Sequence, residues 1–235
     1  MPIILAIETS SELASCALLS GAQVFSRESG GVRTHSQAVL PMVQELLQEA
    51  GVKLADVDAV AFGAGPGSFT GVRTACGVAQ GLAFGIERPV LPLVTLEAMA
   101  EACRARSGAQ EVLTILDARM GEVYWAQYRY DGGWQAVVEP TLAAPEAVQP
   151  VAANGLVACG NGLAAYPDAF AGKDFAAGAH GDIVPHAREL ALLAAPALAA
   201  GQAVPAAQAQ PLYLRNKVAY TSAERQAINA AKAGA

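Results

Sequence analysis

The feature that most constrains this chain is a pattern that occurs twice. An apolar run at 3–7 (IILAI) ends on Glu8 and a polar turn. A second run follows near 14–19 (ASCALL), then a tight turn at Gly21 and an extended segment at roughly 22–28. Likewise 112–116 (VLTIL) ends on Asp117 and a turn, followed by 123–130 (VYWAQYRY), the turn Asp131-Gly132-Gly133 and an extended segment at 134–139. Short apolar runs bounded by turn residues read as buried strands. Glu8 and Asp117 stand 109 residues apart. Hairpins commonly resemble one another, but an acid at the same place in both copies favours duplication of one unit. Two such meanders in one chain predict a two-domain α/β protein.

The segments between the meanders are helical. Ser36 to Ala50 carries Val39, Leu40, Val43, Leu46, Leu47 and Ala50 at amphipathic spacing. Pro41 is expected in the first turn or at a kink, and Gly51 ends the helix. A buried strand at 57–63 leads through a glycine-rich loop into a helix near 72–84, then a strand at 90–94 and a helix at 95–105. Arg106-Ser107-Gly108 is a weak linker. After the second meander come a strand at 155–159, a loop-rich stretch at 163–181, an apolar helix at 187–201 interrupted by Pro196, and a Pro/Ala/Gln linker at 202–211. A helix apolar almost all round belongs between packed layers. The expected units are residues 1–106, 107–215 and a tail, 216–235.

Charge and cysteine usage narrow the function. Formal net charge is −6 over 235 residues. Phosphate-backbone affinity rests mostly on Lys and Arg, so the chain is a poor nucleic-acid binder on its own, and a partner would hold most of any RNA. The stretch from Arg215 onward is basic, with Lys217, Arg225 and Lys232 against Glu224. Cys16, Cys76, Cys103 and Cys159 are far apart in apolar or helical settings, which reads as buried free thiols in a reducing cytosol. The start lacks the basic region of a signal peptide, and no apolar run approaches a bilayer-spanning length. The expectation is a cytoplasmic protein without a membrane partner.

Several residue sets could carry chemistry. The loop Gly63 to Gly71, with Gly65 and Gly67, follows a strand and opens a helix, so its backbone could approach an anion. It lacks the Gly-Lys-Ser/Thr ending of a P-loop. A tight loop that only packs helix on sheet is an equal reading. Glu8 and Asp117 end their strands where a duplicated nucleotide-binding fold would hold a magnesium–phosphate group, with Thr9, Ser10 and Ser11 supplying hydroxyls. Both acids could also simply cap turns. Arg119 and Met120 are bulky where a phosphate loop wants glycine. His35, His180 and His186 offer no helical ligand pair, and Ser68 lacks the GxSxG context of a nucleophile, so neither a metal centre nor a catalytic residue is expected. Leu40, Val43 and Leu47 on one helix, and Val72, Ala75, Cys76, Ala79, Gly77 and Gly81 on the next, cover more than one stripe. Such faces usually pack on their own sheet; exposed, they would form a dimer or heterodimer patch.

LAIETSS at 5–11, THSQAVLP at 34–41, FGAGPGSFTGVR at 62–73, LDARMGEVYWAQY at 116–128 and PLYLR at 211–215 together resemble the TsaB (YeaZ) family. The resemblance implies a duplicated actin/Hsp70/acetate-kinase-like (ASKHA) fold. It implies a non-catalytic scaffold subunit that pairs with the larger TsaD-like paralogue and a TsaE-like ATPase. That complex transfers threonylcarbamoyl to N6 of adenosine 37 in tRNAs reading ANN codons, and this chain meets tRNA only through it. By position Glu8 to Ser11 match the family's first phosphate loop, Asp117 the second, and Gly160-Asn161-Gly162 the adenosine-binding turn. No cofactor is required on this reading; weak ATP or ADP binding, and a homodimer when the partner is absent, are expected. A small-molecule kinase or ATPase of the same fold is the alternative, permitted by the acids at 8 and 117.

Overall fold

A computed structural model describes residues 2–30 and 35–215. Both meanders form. The first is β1 (Ile4–Glu8), β2 (Ala14–Ser20) and β3 (Gln23–Ser29), followed by α1 (His35–Ala50), β4 (Ala59–Gly65), α2 (Phe69–Gly85), β5 (Val90–Val94) and α3 (Thr95–Ser107). The second is β6 (Glu111–Arg119), β7 (Glu122–Tyr130) and β8 (Trp134–Ala143), then β9 (Leu156–Cys159), two short helices α4 (Gly162–Ala165) and α5 (Pro167–Phe170), and α6 (Ala187–Ala199). One sheet has the order β3-β2-β1-β4-β5 and the other β8-β7-β6-β9. The meander is antiparallel in each, and β4 and β9 add in parallel beside the first strand. Apart from β5, which extends the first sheet, both halves share one strand order, the duplicated ASKHA-like architecture.

Strand alternation explains why β1 reads as an unbroken apolar run. Leu5 and Ile7 face α1 and α2, whereas Ile4 and Ala6 face α6. A strand covered on both faces needs apolar residues at every position. The α6 side is lined by Ala6, Ala17, Ala59 and Ala61, which meet Ala187, Ala191 and Ala194. Small residues on both surfaces let the helix lie close to the sheet. Pro41 is the seventh residue of α1, beyond the first turn, on the exposed side.

The chain passes from one sheet to the other near residue 107, but the helices cross that line. From the first half, α3 packs on the second sheet, with Leu96, Met99, Ala100 and Cys103 against Val112, Leu116 and Tyr124. From the second half, α6 packs on the first sheet. Each half thus covers one face of the other, and the helix at 187–199 belongs by its contacts to the first sheet.

Candidate functional site

The first strand of each sheet ends at a turn, and the two turns face each other across a cleft of about 310 Å³. Ser10, Ser11, Gly67 and Ser68 line it from the first half, and Asp117, Arg119, Met120 and Asn161 from the second. Leu212 to Arg215 close one side. Glu8, Thr9, Gly65, Gly160 and Gly162 lie behind these walls.

The glycines explain the first wall. A Cβ on Gly63 would stand 1.9 Å from Glu8 Oε2, one on Gly67 2.6 Å from Ser10 Cβ, and one on Gly71 1.9 Å from the Thr9 carbonyl oxygen. The loop therefore yields room to the chain's own first turn. Gly160 and Gly162 do the same in the second half: their Cβ atoms would fall 2.1 and 2.9 Å from the Ile115 carbonyl oxygen. Of the two readings of the loop, packing is the one these contacts describe.

Glu8 is fully buried, and that burial raises its pKa above the ordinary carboxyl value despite hydrogen bonds from Ser10 and Thr9 that oppose the shift. Its Oε1 accepts the Ser10 N–H at 2.5 Å. Its Oε2 has no hydrogen-bond partner among the described residues, nor has the Ser10 hydroxyl. Asp117 is more heavily engaged. Oδ1 accepts the Arg119 N–H at 2.8 Å and the Tyr166 hydroxyl at 3.0 Å, and Oδ2 lies 3.3 Å from the Arg119 guanidinium. The Asp117 N–H donates to Asn161 Oδ1 at 2.9 Å. Arg119 also pairs with Glu12, tying one turn to the other across the cleft.

The second turn differs from the first in what it offers. Arg119, Met120 and Gly121 all have left-handed φ, at 61°, 59° and 77°. That conformation costs a non-glycine residue roughly 1–2 kcal/mol. The Arg215 side chain holds the turn there: it donates to the Ala118 carbonyl at 3.0 Å, to Met120 Sδ at 2.8 Å and to Glu122 Oε2 at 2.6 Å. A phosphate loop presents free N–H groups; this turn presents carbonyls to a guanidinium and has its carboxylate paired with Arg119. It does not fit a magnesium–triphosphate group. Arg215 lines the cleft without being one of the expected site residues, and the PLYLR motif that ends on it is the signal for it in the sequence. Among the described residues no three His, Cys, Asp or Glu side chains are disposed to hold a metal.

The expected partner patch needs correction. Val43, Ala75, Cys76 and Ala79 are buried in the core beneath α1 and α2, and Val72 is buried at the wall of the cleft, so they cannot face a partner. Leu47 is partly buried against the same core. Leu40 is 47% exposed, and Gly77 and Gly81 are open, with nothing within 4 Å of a Cβ on either. Phe84, absent from the sequence reading, is 79% exposed one turn beyond Gly81. Both helices pack on one face of the sheet, so these residues share an outward side. The four cysteines are buried free thiols, as expected, and burial pushes Cys16 up to about 12.

Comparison with known proteins agrees with this geometry. The family model described as TsaD, tRNA N6-adenosine threonylcarbamoyltransferase, matches residues 16–228. The tRNA threonylcarbamoyladenosine biosynthesis protein TsaB of Escherichia coli (strain K12) is 40% identical over 224 residues, covering 92% of this chain and 96% of its own. The TsaB of Haemophilus influenzae is 38% identical over 231 residues, covering 92% and 95%. The solved structure of YeaZ from Pseudomonas aeruginosa superposes with a TM-score of 0.83 at 42% identity, over 91% of this chain and 100% of that one. With relatives matched along nearly their whole length and the fold matched in space, the chain belongs to the TsaB (YeaZ) family.

Proposed function

We propose that the chain acts in threonylcarbamoyladenosine biosynthesis as a non-catalytic scaffold subunit. It would pair with a TsaD-like paralogue, with a TsaE-like ATPase joining, in the transfer of threonylcarbamoyl to N6 of adenosine 37 of tRNAs reading ANN codons. The observation that carries the non-catalytic part is Arg215 in the second turn. Its guanidinium fixes a turn that offers it carbonyls, donating to the Ala118 carbonyl and the Glu122 carboxylate, and Arg119 engages the Asp117 carboxylate that would hold the metal's waters. Transfer is then left to the paralogue, and this chain contributes a surface. The outward side of α1 and α2, with Leu40, Gly77, Gly81 and Phe84, is the proposed contact, and two copies could use it when the partner is absent. Among the described residues no helix is long and apolar enough to cross a membrane.

The test is reconstitution. The paralogue, the ATPase and an ANN-reading tRNA are assayed for modified adenosine with and without this chain, and the chain alone is assayed for ATP turnover. Modification that requires the chain, with negligible turnover by the chain alone, is expected. Multiple turnover by the isolated chain, abolished by Asp117→Asn, would overturn the scaffold reading in favour of a kinase or ATPase.

A further inference from the structure

Away from the cleft, a second groove of about 310 Å³ runs between α3, α6 and the β7–β8 hairpin. Glu97 and Glu101 project from α3, Tyr130 and Trp134 from the hairpin, and Leu192 and Pro196 from α6. Glu101 is partnered. Its Oε2 accepts the Trp134 indole N–H at 2.8 Å, and its Oε1 lies 3.6 Å from the Arg104 guanidinium. Glu97 has no hydrogen bond or ion pair among the described residues. Burial, and then the Glu101 charge, push its carboxyl up to about 7.

A second unpartnered group lies in the core beneath the groove, outside its lining. Tyr128 is 3% exposed and its ring packs edge-on to Trp134 at 6.3 Å. Its hydroxyl has no hydrogen-bond partner among the described residues and sits in the field of Glu97 and Glu139. A carboxylate partly withdrawn from water without a partner is costly unless something pairs with it. The Arg104 guanidinium, 3.7 Å from the Tyr130 ring centroid, shows that these aromatic faces already hold one cation. The α6 side is apolar, suited to a methylene stem rather than to a hydrated metal ion.

We propose that the groove between α3, α6 and the β7–β8 hairpin binds a primary alkylammonium group, with Glu97 as counter-ion, Trp134 and Tyr130 as aromatic wall and the α6 side receiving the methylene chain. The ammonium is that of a free polyamine or of a lysine side chain on another protein. Its charge balances Glu97, and its N–H groups reach a carboxylate that no other group among the described residues pairs with.

The experiment titrates the whole protein with cadaverine and, separately, with the peptide acetyl-Gly-Lys-Gly-amide, following Trp134 fluorescence and heat of binding. Saturable one-to-one binding of at least one probe is expected, and the tighter probe identifies the source. Glu97→Gln should weaken it at least ~10-fold, while the exposed Asp168→Asn, remote from the groove, should not. Trp134→Phe, which keeps a ring but loses the indole, should weaken it less. Glu97 must lose its proton to act as counter-ion. It is faced by Glu101 and Arg104 on α3, Tyr128 and Tyr130 on β7, Glu139 on β8 and Glu189 on α6, and a pKa about 7 makes affinity fall roughly tenfold from pH 8 to pH 6. Absence of saturable binding by either probe, binding unchanged in Glu97→Gln, or equal loss in Asp168→Asn would each overturn the proposal.

Discussion

Phe84→Glu separates a partner surface from a core. Phe84 stands 79% exposed at the end of α2, whereas Val43 on α1 is 3% exposed. A phenylalanine offers about 200 Å² to bury. Covering four-fifths of it at ~25 cal/mol per Å² is worth about 4 kcal/mol, or roughly a thousandfold in association, before the cost of ordering is deducted. Phe84→Glu should therefore fold normally and bind the TsaD-like paralogue at least ~100-fold more weakly, with a parallel loss of tRNA modification. Val43→Glu should instead lose its cooperative melt, because it buries a charge beneath α1 among Leu5, Phe62 and Leu46. The assay is calorimetric titration of the paralogue into each variant, with a thermal melt as the control for folding. Leu40→Glu is a second, independent probe of the same outward side. If Phe84→Glu and Leu40→Glu both fold, bind and support modification as the unaltered chain does, the interface lies elsewhere.

Gly71→Ala should destabilise the fold by about 3 kcal/mol or more, read by denaturant melts, because the new methyl meets the Thr9 carbonyl oxygen and backbone cannot step aside. Arg215→Ala removes charge-assisted bonds to Ala118 and Glu122 and should cost about 2 kcal/mol, with faster proteolysis around residues 209–215. Glu97 gives a pH dependence with a defined sign. Its folded pKa of about 7 lies above the ordinary 4.5, so the folded state keeps a proton that the unfolded state has released, and stability is lost as pH rises from 4.5 through 7. The loss amounts to roughly 3 kcal/mol at 1.36 kcal/mol per unit. Melts of Glu97→Gln should lack that component of the slope; an unchanged slope would place the titration on another group.

The fold was legible because its central strands, β1 and β6, are covered on both sides. Residues 3–7 and 112–116 read as strands from composition alone, and the recurrence of an acid at their ends located the duplication. The faces of α1 and α2 were not legible. Along α2 the inward positions are Val72, Ala75, Cys76, Ala79 and Ala83 and the outward ones include Gly77, Gly81 and Phe84. Alanine and glycine differ too little in hydrophobicity to mark a face, and Phe84 outward runs against the expected sense. The exchange of α3 and α6 between sheets was hidden for a different reason: covering a sheet is a tertiary fact, and both helices carry enough apolar surface to cover either one.

The candidate site shows the same limit in sharper form. A glycine that admits a phosphate and a glycine that admits a neighbouring carbonyl are the same letter, and only the Cβ distances to Glu8, Thr9 and Ile115 distinguish them. The sequence reading placed the obstacle in the second turn on the bulk of Arg119 and Met120. In the structure the turn also departs from a phosphate loop in its backbone. Arg119, Met120 and Gly121 are left-handed in succession, and the Ala118 carbonyl is aimed at an arginine 97 residues away in the chain. A separation of that length gives a local motif search nothing to find. It also changes what a repair would require. Replacing Met120 with glycine would relieve left-handed strain and so favour the present turn; it would not turn a carbonyl into an N–H donor. On the scaffold reading, Met120→Gly should therefore melt at a temperature no lower than the unaltered chain and gain no ATP turnover. A variant that did hydrolyse ATP would show that side-chain bulk, rather than the direction of the backbone, had closed the site.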